Sequence, residues 1–187
     1  GGKFAGIPNL ENPEGKAEAF GPMDEAINGF PVKQMPEEMI LRLVEAYRTA
    51  ADRARFAGYN IVVLHAGHGW LLSQFMSPTN QRKDQYGGCL ENRLRFPIMV
   101  CKAVREAIGP RMAIDFRMNW DDLCEEGCHL DEACRIAEIM QDYVDSIHVS
   151  AGNQHIATSF VHTHPSMFLP AGPNVAAAAE IKKHVHI

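Results

Sequence analysis

The chain has 187 residues, 46% hydrophobic and 22% charged, enough apolar material for one globular core. Lys and Arg number 18 against 23 Asp and Glu, a net charge of −5, which argues against nucleic acid or an anionic membrane surface as the main partner. The apolar runs fall far short of the ~20 residues that a bilayer-spanning helix needs, no signal segment opens the chain, and the five cysteines, Cys89, Cys101, Cys124, Cys128 and Cys134, read as reduced thiols of a cytoplasmic protein.

Residues 1–35 carry Gly, Pro and Asn throughout without a sustained period. They read as a long loop following a strand that the chain lacks. From Pro36 the pattern turns helical: Pro36 suits the first helical position, Glu37 and Glu38 suit the positive end of the dipole, and Gly58 suits the exit. Met39/Ile40, Leu43/Val44, Tyr47, Ala50/Ala51 and Ala54 fall on one face. "NIVVLH" (60–65) is a short β-branched run, the mark of a parallel strand covered on both faces.

That plan repeats. A helix is expected from Pro97 to Ile108, ending at Gly109-Pro110, and then a strand at "MAIDFR" (112–117). Leu130, Ala133/Cys134, Ile136/Ala137, Met140 and Val144 line a third helix, and "SIHVS" (146–150) is a strand. After a proline-rich loop, "NVAAAAEIKKHV" is helical and "HVHI" begins a strand. Alternating strands and helices mean a parallel sheet in an α/β protein. Three strands, a stub and four helices are too few to close such a sheet, so a single partial domain is expected, with βα repeats over 36–187.

Chemistry in such folds gathers at the C-terminal ends of strands. His65 ends one strand and Arg117 the next. Ala113, Asp115 and Arg117 share a face opposite Met112, Ile114 and Phe116, so Arg117 should point away from the helices, with Asp115 as its expected partner. A guanidinium there wants an anion or a polarised carbonyl. His65 and His68 could aim two donors at one substrate oxygen; by spacing alone, one could equally cap a turn while the other packs in a loop.

The stretch "HAGHGWLLSQFMSPTNQRKDQYGGCLENRLRF" (65–96) resembles the central signature of the Old Yellow Enzyme superfamily of NADH:flavin oxidoreductases. "AVREAIG", "DFR" and "VSAG" agree, and the tail "THPSMFLPAGPNV" is similar to the branch of 2-enoate, 2,4-dienoyl-CoA and bile-acid Δ4-steroid reductases. The resemblance implies a TIM (β/α)8 barrel, present here from about strand four to the start of strand seven. It implies an FMN-dependent enzyme that uses NADH or NADPH to reduce the activated C=C bond of an enone, enoate or enoyl thioester, with hydride passing from flavin to the β-carbon. Its partner would be a small α,β-unsaturated molecule, with neither nucleic acid nor membrane, and there is room for a homo-oligomer. An iron–sulfur cluster or FAD would belong only to a longer parent chain. The alternative is a non-catalytic piece of such an enzyme, unable to hold FMN alone, since the phosphate-binding loops after strands seven and eight are absent.

Residue by residue, the resemblance gives His65 and His68 the substrate's carbonyl or carboxyl oxygen, and Arg117 the pyrimidine edge of the flavin. Trp70 stands where the family often has a proton-donating tyrosine, and an indole is a donor only. Cys89 stands where the family has serine. Asn80, Arg82, Asp84, Tyr86, Glu91, Asn92, Arg93 and Arg95 are expected to form a buried scaffold network, with Gly87 and Gly88 supplying tight backbone. Cys124, Cys128 and His129 have no second pair at zinc-ligand spacing, so no metal is assigned; a metal-assisted barrel enzyme using the histidines would need Asp115. "HTHP" (162–165) falls on a loop after a strand, as a turn or a substrate contact.

Overall fold

The computed structural model describes residues 18–27 and 30–187. The segment before Pro36 departs from the expected loop. Three short strands occur there, β1 (Ala19–Gly21), β2 (Glu25–Ile27) and β3 (Phe30–Gln34), in the order β1-β3-β2, with β1 parallel and β2 antiparallel to β3. Such short strands cannot display a period of two against a Gly/Pro background. Pro31 is tolerated in β3 because it lies opposite Ala26 of β2 and outside the β1 register. Residues 1–17 of the expected loop lie outside the described residues.

Helix α1 (Glu37–Phe56) carries Glu37 and Glu38 in its first turn and Arg53 and Arg55 in its last, matching the dipole. Pro36 is extended (φ −68°, ψ 153°) and precedes the helix instead of opening it; its missing N–H is harmless in either place. Ile40 and Ala51 are buried, with Met39, Leu43, Val44, Tyr47 and Ala54 packed on the same core.

The expected parallel sheet forms from β4 (Ile61–Ala66), β5 (Ala113–Asp121) and β6 (Ser146–Ala151), in the order β4-β5-β6, but β5 does not end at Arg117: it runs on to Asp121, because β6 continues to pair with it as far as Ala151. Leu64, Ala66, Ile114, Phe116 and Met118 are buried under the helices. The other face of β4 is not covered: Ile61 and Val63 are 55% and 56% exposed, because three strands cannot curl around their own concave face.

The helix expected from Pro97 begins earlier. Helix α3 (Leu90–Ile108) takes Pro97 into its interior. A proline there forfeits one backbone bond, and the burial of Leu90, Leu94, Phe96, Val100 and Val104 outweighs it. Helix α4 (Leu130–Met140) buries the expected Ala133, Cys134, Ile136, Ala137 and Met140. Two helices were not expected. Helix α2 (Leu71–Met76) is buried all round, and α5 (Ala157–Thr163) follows β6; each is too short to show a helical period. Helix α6 (Val175–Lys182) ends the helical series. "HVHI" forms no strand: Val185 is buried, and the His186 N–H donates to the Gln141 side chain in place of a neighbouring strand.

The scaffold network exists, but only its centre is buried. Asn80 donates to the Phe75 and Tyr86 carbonyls. Arg82, 4% exposed, reaches the Pro22 and Met35 carbonyls at 3.0 and 3.1 Å and pairs with Asp84, tying the small sheet to the loop. Arg93 donates to the Gly88 and Met76 carbonyls and pairs with Glu132. Asp84, Glu91 and Arg95 are exposed, Asp84 on the outer side of the loop and Glu91 and Arg95 on the outer face of the helix that follows, which runs from Leu90. A Cβ on Gly87 would stand 2.8 Å from the Arg82 carbonyl oxygen, and Gly88 has φ 81°, so both positions require glycine.

Candidate functional site

Strand register sets the first relationship. His65 of β4 lies beside Arg117 of β5, and Arg117 lies beside His148 of β6. The chain then leaves β4 through two successive left-handed residues, His68 (φ 59°) and Gly69 (φ 77°). A non-glycine residue in that region costs of order 1–3 kcal/mol and persists only where its surroundings hold it.

Asn119 supplies that hold. Its Oδ1 accepts the His68 backbone N–H at 3.2 Å, while its Nδ2 donates to Asp122 Oδ1 at 2.6 Å and to the Gly152 carbonyl at 2.8 Å. The Gln154 N–H donates to the His68 carbonyl at 3.1 Å. The loops after β4, β5 and β6 are thereby tied together at His68. Burial pushes the Asp122 carboxyl up.

This brings the expected residues together. The His65 and His68 rings are 4.9 Å apart and nearly perpendicular, at 86°. His68 Nε2 is 2.7 Å from Ser150 Oγ, and Arg117 Nη2 donates to the same oxygen at 3.2 Å. The Trp70 ring lies 6.5 Å from that of His65, at the entry to α2. Burial, then the Arg117 cation, lowers His65 to about 4; the same two causes lower His68 to about 3. Both rings are therefore neutral near pH 7, each with one N–H and one lone pair. His65 Nδ1 and Arg117 Nε are buried without a hydrogen-bond partner. Unpaired buried polar atoms are costly in a folded protein, and here two of them sit on side chains of one register pair.

Asp115 does not partner Arg117. It accepts from Ser146 Oγ at 2.7 Å and lies 3.4 Å from His148 Nδ1. Residues two apart along a strand are separated by about 6.6 Å, whereas Ser146 is the direct register neighbour of Asp115. Sequence reasoning missed Ser150, His148 and Asn119. The signal was present, because Ser146, His148 and Ser150 alternate along β6 as Asp115, Arg117 and Asn119 do along β5. The "HTHP" segment is more than a turn: His162 and Thr163 end α5, and the His164 ring lies 6.1 Å from that of His68.

Cys124 and Cys128 do not converge with His129 on a metal site. Burial raises both thiols, and His129 Nδ1 is turned to Asp121 Oδ2 at 3.2 Å. Among the described residues no group of three or more His, Cys, Asp or Glu side chains is placed to hold a metal ion. All five cysteines are free thiols. No helix among the described residues is long and apolar enough to cross a membrane. A cleft of about 560 Å³ beside Lys102, Arg105 and Asp145 lies at the opposite end of the sheet from the histidines.

The site fits a group with carbonyl edges that accept hydrogen bonds. Arg117 Nε offers an unpaired buried donor, and the neutral imidazoles offer hydrogen bonds without a competing charge.

The family model for the NADH:flavin oxidoreductase / NADH oxidase family matches residues 6–167. An NADH oxidase of Thermoanaerobacter brockii is 36% identical over 171 residues, covering 90% of this chain and 26% of that protein. An NADPH dehydrogenase of Clostridium acetobutylicum is 35% identical over 135 residues, covering 71% of this chain and 39% of that one. A 2-naphthoyl-CoA reductase solved with 2-naphthoyl-CoA superposes with a TM-score of 0.80 at 26% identity, over 96% of this chain and 27% of its own. This chain thus spans roughly a quarter to two fifths of these three proteins, and its three parallel strands are part of an α/β barrel. The chain belongs to the NADH:flavin oxidoreductase / NADH oxidase family, within the Old Yellow Enzyme superfamily.

Proposed function

We propose that this chain forms the central part of an FMN-dependent ene-reductase, acting with NAD(P)H on an alkene conjugated to a carbonyl or carboxyl group. One observation carries the reading: two neutral imidazoles and a half-buried arginine converge with the buried atoms His65 Nδ1 and Arg117 Nε unsatisfied. His65 and His68 hold the substrate oxygen and stabilise the negative charge that develops on it. Arg117 would hold the cofactor through its Nε–H, its cation facing whatever negative charge the ring carries. When bound, FMN supplies the hydride that an alkene's β-carbon accepts. Trp70 shapes the pocket and can donate a hydrogen bond, but its indole cannot serve as the acid that protonates the α-carbon. Within the family, the likeness to a reductase of an aromatic CoA thioester supports the acyl-activated branch of substrates.

The test is the visible spectrum of the purified chain after incubation with FMN and desalting. A retained band that NADH bleaches and an enone restores is the expected result. A second reading, in which the chain holds no cofactor by itself, is favoured by the exposure of Ile61 and Val63 on the concave face of the sheet. Absence of a retained band supports it.

A further inference from the structure

The hydroxyl of Ser150 touches two of the site's groups, and its hydrogen count decides how one of them is protonated. Ser150 is 3% exposed. Arg117 has no lone pair to offer, so its Nη2–H donates to Ser150 Oγ across 3.2 Å. His68 Nε2 lies 2.7 Å from the same oxygen. Neutral His68 has two arrangements. If Nε2 carries the hydrogen, the serine accepts twice and its own O–H is buried with nothing to donate to, since the hydroxyl has only these two partners among the described residues. Stranding a buried donor costs about 1–3 kcal/mol. If instead Ser150 donates to the Nε2 lone pair, all three groups are satisfied.

We infer that Ser150 is a positioning residue which fixes His68 as the Nδ1–H tautomer, so that this histidine presents an N–H and not a lone pair to a ligand oxygen. With Nε2 engaged, Nδ1 is the ring nitrogen left for a ligand. Arg117 reinforces the arrangement, because a hydroxyl that accepts from a guanidinium is polarised into a better donor. The left-handed backbone of His68 and its bond to Asn119 hold the ring where Ser150 can reach it. The depressed proton affinity of His68 agrees with a ring that accepts at Nε2 and stays neutral. The inference rests on the proposed role of His68 as a donor to substrate.

The test is long-range ¹H–¹⁵N correlation of the histidine rings of this chain at pH 7, assigned by loss of the signal in His68→Asn. The expected spectrum of the unmodified chain has the His68 proton on Nδ1. Ser150→Ala should divide His68 between both tautomers or move it to Nε2–H, and Ser150→Thr, which keeps the hydroxyl, should restore Nδ1–H. An Nε2–H ring in the unmodified chain overturns the inference without recourse to any variant. So does an Nδ1–H ring that persists unchanged in Ser150→Ala. The measurement involves neither flavin nor turnover: Nδ1–H in the chain, together with an FMN-loaded longer protein containing it that reduces no alkene, would sustain this inference and sink the proposed function.

Discussion

Arg117 stands directly beside His65, Cα partner to Cα partner on neighbouring parallel strands, and it shares the Ser150 hydroxyl with His68. A permanent cation between two imidazoles makes protonating either ring unfavourable. Burial is the larger cause for both histidines and Arg117 the second. Replacing Arg117 with Met should therefore raise both histidines toward their ordinary value without bringing them there, read by NMR titration of the ring protons. The same variant should lose at least tenfold in FMN affinity, about 1.4 kcal/mol. Unmoved histidine titrations would refute the electrostatic link.

His65→Ala removes one of the two donors proposed for the substrate oxygen and leaves Arg117 in place. In an FMN-loaded protein it should weaken binding of a carbonyl-bearing ligand such as cyclohex-2-enone by roughly tenfold or more, the worth of a buried hydrogen bond, while flavin absorbance after desalting is retained. Unchanged affinity and turnover would remove His65 from the site.

Acid should destabilise the fold through His68. In the unfolded chain its ordinary value is 6.5, and in the folded protein it is about 3. Between those values the unfolded state binds more protons, so stability is full above about pH 6.5 and falls as the pH drops toward 3. One fully buried histidine contributes a slope of up to about 1.4 kcal/mol per pH unit. His68→Asn, which tolerates the left-handed backbone and does not titrate, should flatten the loss between pH 6 and 4 in urea unfolding.

Cys89 occupies the N-cap of α3 and makes no side-chain capping bond. Serine is among the best N-caps and a thiol is a weak acceptor. Cys89→Ser should stabilise the chain by about 1 kcal/mol, seen as a Tm rise of a few degrees. A fall in Tm would mean that the thiol contributes packing.

Arg82→Ala leaves the Pro22 and Met35 carbonyls without their shared donor. The expected cost is about 3 kcal/mol or more, and limited proteolysis should cut first in the small sheet formed by β1, β2 and β3. Cleavage spread evenly over the chain would argue against Arg82 as its anchor.

The parallel sheet, α1, α4 and α6 were legible because each runs long enough to display its period. The strands β1–β3 and the helices α2 and α5 were not, because three to seven residues carry too little periodicity to read against Gly and Pro. Pro97 misled the start of α3, since a local rule about proline yields to the burial of the residues around it.

By itself the sequence determined which residues the site draws on: His65 near the end of one strand, His68 three positions on, Arg117 on the next strand, and the flavin-oxidoreductase signature that holds His65 and His68. These are properties of local pattern, and local pattern survives in one dimension. Tertiary structure alone decided the partners. Asp115 turned to Ser146 and His148, Ser150 came to bridge Arg117 and His68, and Asn119 reached across to the His68 backbone. Each of those contacts joins residues 31 or more positions apart, and strand register, which no stretch of sequence states, is what sets them side by side.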